Sequence, residues 1–312
     1  MKKFDYSLVK DPQYFCDGRM AAHSDYRSEE EREDGETSYR YDMNGLWKFQ
    51  YAPNYAGTIR GFETEAYSCK DWEDIYVPAH IQMEGYDVPQ YANVQYPWEG
   101  HEELHPGQIP ERFNPVASYV KYFYVPENMK GKRVFISFQG AESGLALWLN
   151  GSFVGYSEDS FTPSEFELTE YLKDGENKLA VQVFKWTASS WCEDQDFYRF
   201  SGIYRDVYLY TVPEVHVYDL QIRAVPDETL KSATLELTTD TWGEGKIKVT
   251  LSGKGEILFS EEKDLSGKNT YTWEIPDPVL WSAEDPQLYD LEMEVYDREG
   301  TLQEIIPERV GF

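Results

Sequence analysis

From Gly45 onward, apolar residues fall mostly at every second position, the period of a strand with one face turned to a core. Val134, Ile136 and Phe138 share one such face, although Phe135 on the opposite face breaks the alternation. Leu145–Leu149, Asn150-Gly151 and Ser152–Tyr156 read as a hairpin, because Asn-Gly supplies the two positive-φ positions of a type I′ turn. Asp174-Gly175-Glu176-Asn177 then turns the chain into Lys178–Phe184, with Leu179, Val181 and Val183 on one face, and Arg205–Tyr210 closes the region as a further strand. Long helical periodicity is absent. The pattern predicts an all-β chain.

The texture changes twice. Residues 1–44 lack periodicity and carry the charge run Glu29–Asp34, which predicts an extended arm, solvated or laid along a partner surface. Around Thr211-Val212-Pro213-Glu214 a proline interrupts strand pairing and suits a short junction. Beyond it, strands are predicted at Val215–Ala224, Ala233–Thr239, Lys246–Ser252, Thr270–Ile275 and Tyr289–Tyr296. Turns are expected at Gly243-Glu244-Gly245, Ser252–Gly255 and Asp297–Gly300. About a hundred residues in this pattern suggest an immunoglobulin-like sandwich, and the lack of cysteine there excludes the disulfide-pinned type. The division is an arm over 1–44, a first β-sandwich over 45–212 and a second over 213–312. Such sandwiches serve as binding or spacer modules, and the fold alone decides no function.

Charge narrows the partners. The chain has 312 residues with 57 acids against 29 bases, a formal net charge of −28. That balance repels phosphate backbones and anionic bilayers, so nucleic acid and membrane are set aside as partners. Lys2 and Lys3 imitate the start of a signal peptide, but no apolar run of signal length follows. Three cysteines (Cys16, Cys69, Cys192) make an odd set without metal-ligand spacing. Together these point to a cytoplasmic protein. Aromatic residues reach 16%. Their faces suit sugar C–H surfaces, and they equally fill sandwich cores.

Three constellations carry candidate chemistry. His101-Glu102-Glu103-Leu104-His105 is a literal H-E-x-x-H, which binds zinc only when a helix sets both imidazoles on one face. Gly100 and Pro106-Gly107 bracket it, so a polar surface loop is the expectation. Asp194 and Asp196 share a face if extended, with carboxylates roughly 5–7 Å apart, near the spacing of a retaining glycosidase pair. The plainer reading gives them a cation, backbone amides, or Arg199 or Arg205. Tyr91–Trp98 sets Asn93 and Gln95 among aromatics: amides answer sugar hydroxyls and rings pack on the carbon face. A loop with core-packed Tyr96 and Trp98 is the alternative.

Taken in order, many segments resemble the lac-type β-galactosidases of glycoside hydrolase family 2. They include Arg19–Ser24, Leu46–Phe49, Val77–Asp87, Tyr91–Pro97, Leu149–Gly151, Gly155–Ser160, Pro163–Phe166, Glu193–Val207, Leu280–Glu284 and Val310–Phe312. The resemblance covers nearly the whole chain. It implies a jelly-roll, galactose-binding-like sandwich followed by an immunoglobulin-like one. It also implies a catalytic TIM barrel beyond Phe312, where two glutamates and magnesium would sit, so this chain is expected to hold no catalytic residue and to need no cofactor of its own. By the same resemblance Asn93 touches the galactosyl group, and Asp196 enters the galactose subsite and helps to hold sodium. The implied partners are β-galactosides such as lactose, the protein's own barrel, and further copies in a homo-oligomer. A carbohydrate-binding module or lectin without hydrolase activity is the alternative.

Overall fold

The computed structural model describes residues 3–25, 28–29, 31, 37, 39–193 and 196–312. Two compact units divide them: Met1–Ala21 with Arg40–Thr211, and Ala22–Tyr39 with Val212–Phe312. The described structure is nearly all β, as the period-two pattern predicts. The segment expected as an arm is shared between both units, and most of its charge run lies outside the described residues.

The first unit is a sandwich. A seven-stranded sheet runs in the order Cys16–Asp17, Ser152–Ser157, Gly144–Leu149, Asn177–Phe184, Val116–Phe123, Gly45–Ala52, Glu73–Val77. It faces a four-stranded sheet of Ser164–Glu167, Val134–Phe138, Val207–Thr211 and Arg40–Asp42. Between them Trp47, Phe49, Ile136, Phe138, Leu147, Leu179, Val181 and Leu209 form the main core. The hairpin is as predicted: Leu149 pairs with Ser152, and Asn150 (φ 52°) and Gly151 (φ 83°) occupy the turn.

The outer face of the large sheet is buried too along its central strands. Val9, Phe62, Trp148, Tyr156, Ala180 and Phe184 make a second apolar layer there, with Phe4 ringed by Trp148 and Phe184 at 5.4 and 5.8 Å. Residues near the N-terminus are thus packed against the sandwich, because the side chains of the central strand point alternately into two cores. Every residue of Asn177–Phe184 is consequently buried. Phe135 has a similar cause: on the outer face of the small sheet it stacks on Tyr210 at 5.0 Å, under the guanidinium of Arg133.

The second unit is one curled sheet of five strands around Leu235, Leu237, Ile247, Val249, Leu291, Met293 and Val295. The sequence reading separates Ala233–Thr239 from Lys246–Ser252 by a turn at Gly243–Gly245. The structure corrects this. Ser232–Gly253 is one continuous strand, paired along its length with Glu256–Pro276 and bent by a bulge between Thr241 and Glu244. The bend lets one strand serve two layers. It brings Phe259 against Trp273 at 4.9 Å within the same partner strand, and the Trp273 indole N–H donates to Glu261 at 3.2 Å.

Glycine at 245 follows from the close approach of the next strand. A Cβ there would sit 2.0 Å from the carbonyl oxygen of Tyr296, an atom held in the sheet. Gly245→Ala is therefore expected to destabilise the second unit by about 1–3 kcal/mol, as overpacking does. Amide hydrogen exchange of Ser232–Gly253 across a urea series checks this; an unchanged midpoint would refute the steric argument.

Candidate functional site

The candidate site is a short two-stranded ribbon at one end of the first unit. Gln90–Ala92 pairs antiparallel with Phe197–Arg199, in the register Phe197–Ala92, Tyr198–Tyr91 and Arg199–Gln90. The turn-side ends of these strands carry Asn93 and Asp196, far apart in sequence. The Asp196 amide N–H donates to the carbonyl of Asn93 at 3.3 Å, so the two residues expected to meet a sugar are neighbours. Both are exposed.

Asp196 adopts φ 51°, a left-handed conformation that Asp, Asn and Gly tolerate better than other residues. Its Oδ1 accepts a hydrogen bond from the Tyr91 hydroxyl at 2.6 Å. That bond to a carboxylate holds the Tyr91 hydroxyl above its ordinary pKa, with the proton on the phenol. The Tyr91 and Tyr198 rings lie 5.0 Å apart, and both are mostly exposed. The surface therefore offers a carboxylate, an amide and aromatic faces together, the combination that holds a polyhydroxylated ring by its edges and its carbon face.

Trp98 is core-packed, against Tyr96 at 5.0 Å and Trp191 at 5.0 Å, while the Tyr96 hydroxyl donates to the Trp191 carbonyl at 2.9 Å. These aromatics fasten the loop after Asn93 to the one before Asp196. Asp194 lies outside the described residues, so its spacing from Asp196 is not described. Neither arginine serves Asp196. Arg205 donates to the carbonyls of Phe161 at 2.8 Å and Gln139 at 3.4 Å, and Arg199 turns into the interior.

The segment His101–His105 is not helical. Glu102 instead accepts backbone N–H bonds from Glu111, Arg112 and Phe113 at 3.0–3.3 Å, closing a loop. Among the described residues no group of three His, Cys, Asp or Glu side chains is placed to hold a metal.

Two further acids, Glu193 and Glu158, lie outside the residues expected to meet a sugar and are drawn into the interior. Burial raises Glu193, which accepts from Ser160 at 3.1 Å with Arg199 nearby as a counter-charge. Glu158 is also buried, and that pushes it up to about 7, against the hydrogen bonds from Tyr156 at 2.7 Å and from the Ser189 amide at 3.1 Å. The Ser189 bond ties the segment leading to Trp191 and Glu193 down to the sandwich.

Comparison with known proteins fits this architecture. Residues 41–213 match the family model "Glycosyl hydrolases family 2, sugar binding domain", and residues 215–312 match "Glycosyl hydrolases family 2". The chain belongs to glycosyl hydrolase family 2. Among curated family members, a β-galactosidase of Halalkalibacterium halodurans is 46% identical over 98% of the chain and 31% of its own length. A β-galactosidase of Streptococcus thermophilus is 43% identical over 98% of the chain and 30% of its own length. A β-galactosidase large subunit of Leuconostoc lactis is 40% identical over 97% of the chain and 51% of its own length. The chain thus spans a third to a half of these relatives. A solved structure, Bacteroides uniformis β-glucuronidase 2, superposes with TM-score 0.65 over 88% of the chain and 32% of its own, at 22% identity, a likeness of fold alone. No helix among the described residues is long and apolar enough to cross a membrane.

Glu158 makes family 2 stability here pH-dependent. Because its folded pKa is raised, the folded chain holds the proton more tightly than the unfolded one. Its contribution therefore falls as pH rises from about 4.5 to about 7, by on the order of 3 kcal/mol. Glu158→Gln keeps an acceptor for the Ser189 amide and removes the titration. Urea midpoints from pH 5 to 8 are expected to fall less steeply in the variant; parallel curves for both proteins would dismiss the assignment.

Proposed function

We propose that this chain is the N-terminal part of a β-galactosidase that hydrolyses terminal β-D-galactosides with retention, and that it supplies one wall of the galactose subsite. The carrying observation is the ribbon that joins Asn93 to Asp196 through a backbone hydrogen bond and presents the Tyr91–Asp196 pair to solvent. The β-galactosidase names of relatives 40–46% identical along almost the whole chain support the choice of sugar.

In this reading the Asp196 carboxylate accepts from a galactosyl hydroxyl, and the Asn93 amide both donates and accepts. The two catalytic carboxyls come from outside these 312 residues. Asp196 fits a sodium site as one hard oxygen ligand: Tyr91 occupies Oδ1, and Oδ2 takes no bond from the described residues. One carboxylate is not a complete shell, so the remaining ligands belong to the rest of the subsite. Magnesium, assembly into a homo-oligomer and a cytoplasmic location belong to the same proposal for the whole protein.

The 312-residue chain alone is expected to release no chromophore from a chromogenic β-galactoside; steady hydrolysis by the pure chain sinks the divided-site reading. Calorimetric titration with lactose separates the alternative, since millimolar or tighter binding favours a stand-alone sugar-binding module. Exchanged for the corresponding part of the Streptococcus thermophilus relative, the chain is expected to support lactose hydrolysis. In that chimera Asp196→Asn, which keeps the left-handed turn, lowers kcat/KM by about 10–100-fold, the loss of a charge-assisted hydrogen bond.

A further inference from the structure

The ribbon is short, and three cross-strand pairs between segments distant in sequence do not hold two strands together by themselves. What fixes it lies underneath. Arg199, the last ribbon residue, turns its side chain into the interior and is 1% exposed. Its guanidinium meets the Glu142 carboxylate at 3.3 Å, with that side chain 3% exposed, and it also donates to the carbonyl of Glu193. Two residues on, Ser201 is held twice by Gln82: its amide N–H donates to the Gln82 carbonyl oxygen at 2.9 Å, and its hydroxyl accepts from the Gln82 amide at 2.9 Å. The same Gln82 amide donates to Asp87 at 2.8 Å, and Asp87 pairs with Lys185 at 2.6 Å, both side chains being 0% exposed. Ser143, next to Glu142, donates to the Lys185 carbonyl at 2.9 Å and closes the circuit.

Two ion pairs fully withdrawn from water are poor devices for stability alone. Well-packed apolar residues of similar volume commonly do as well or better. Directional partners differ from apolar ones in fixing angle and register: a guanidinium fork and a primary amide each accept only narrow geometries. Here both directional contacts fall on Arg199 and Ser201, just after Asp196, and both lead to segments anchored in the sandwich.

We propose that Arg199, Glu142, Gln82, Asp87 and Lys185 form a buried registration network whose role is to position Asn93 and Asp196. These are positioning residues, and none of them reaches the ligand. Their relevance to sugar recognition rests on the reading of Asn93 and Asp196 given above; the ordering of the ribbon does not.

The test uses the 312-residue chain without sugar. The double variant Glu142→Leu/Arg199→Met removes both charges of one ion pair, and with them the positive charge near Glu193, and Arg199→Lys keeps the charge while losing the fork. Amide hydrogen exchange reads Gln90–Ala92 and Phe197–Arg199 against the sandwich strand Val134–Phe138. Near-ultraviolet circular dichroism reads the Tyr96–Trp98–Trp191 cluster. In both variants ribbon exchange is expected to rise at least tenfold, with the aromatic signal reduced and Val134–Phe138 unchanged. Unchanged ribbon exchange in a folded variant overturns the proposal. So does loosening of ribbon and sandwich in parallel in both variants, which marks the network as structural support only. Loss of folding in the double variant alone leaves Arg199→Lys to decide by the same readings. Because no sugar is present, an error in the choice of galactoside does not change any of these outcomes.

Discussion

The first unit depends on one constraint: the central strands of its seven-stranded sheet are buried on both faces. Leu179, Val181 and Val183 enter the core between the sheets, while Ala180 and Phe184 enter the layer beneath Phe4, Val9 and Phe62. A sheet covered twice has no solvent side on which to place polar residues. Every polar group that remains on its strands must find a partner in the interior or forfeit its hydration. Lys178 shows the rule. Its ammonium, drawn down from its usual pKa by burial, donates to the carbonyls of Phe62, Thr64 and Tyr67 at 2.5–2.8 Å and so fixes the loop that covers the outer layer.

The same rule builds the ground beneath the site. Lys185 follows the last apolar residue of the central strand, and Glu142 ends the short strand Ala141–Glu142, opposite Gly202. Both are deep, both are paired, and their partners are Asp87, just before the ribbon, and Arg199, its last residue. Burial on both faces thereby converts a packing requirement into directional contacts at one end of the sandwich. The exposed chemistry of Tyr91, Asn93 and Asp196 rests on that layer. A mobile surface loop could carry the same residue types, but it would not hold them in register.

The second unit meets its burial requirement differently. It curls one sheet, sending a single strand of 22 residues through both layers with a bulge where the sequence offers Gly243 and Gly245. Glycines between two alternating runs signal a turn and a bend equally well from sequence. The Tyr296 carbonyl, which excludes a Cβ at 245, belongs to another strand and cannot be seen locally.

Local pattern by itself determined the all-β class, the Asn150-Gly151 hairpin, the core faces of Val134–Phe138 and Lys178–Phe184, and the failure of His101–His105 as a helical metal motif. These follow from interactions within a few residues: turn dihedrals, side-chain alternation and breakers. The ordered segments from Arg19 to Phe312 also carried the family. Tertiary structure alone decided that Asn93 and Asp196 are neighbours, that Tyr91 donates to Asp196, and that Arg199 meets Glu142. Sequence did carry one unused signal, the charge of Lys185 between Phe184 and Trp186 at the end of an apolar strand, where a partner must exist. Which partner it is depends on strand register across the sandwich, and register is set by the summed fit of both cores rather than by any residue near the charge.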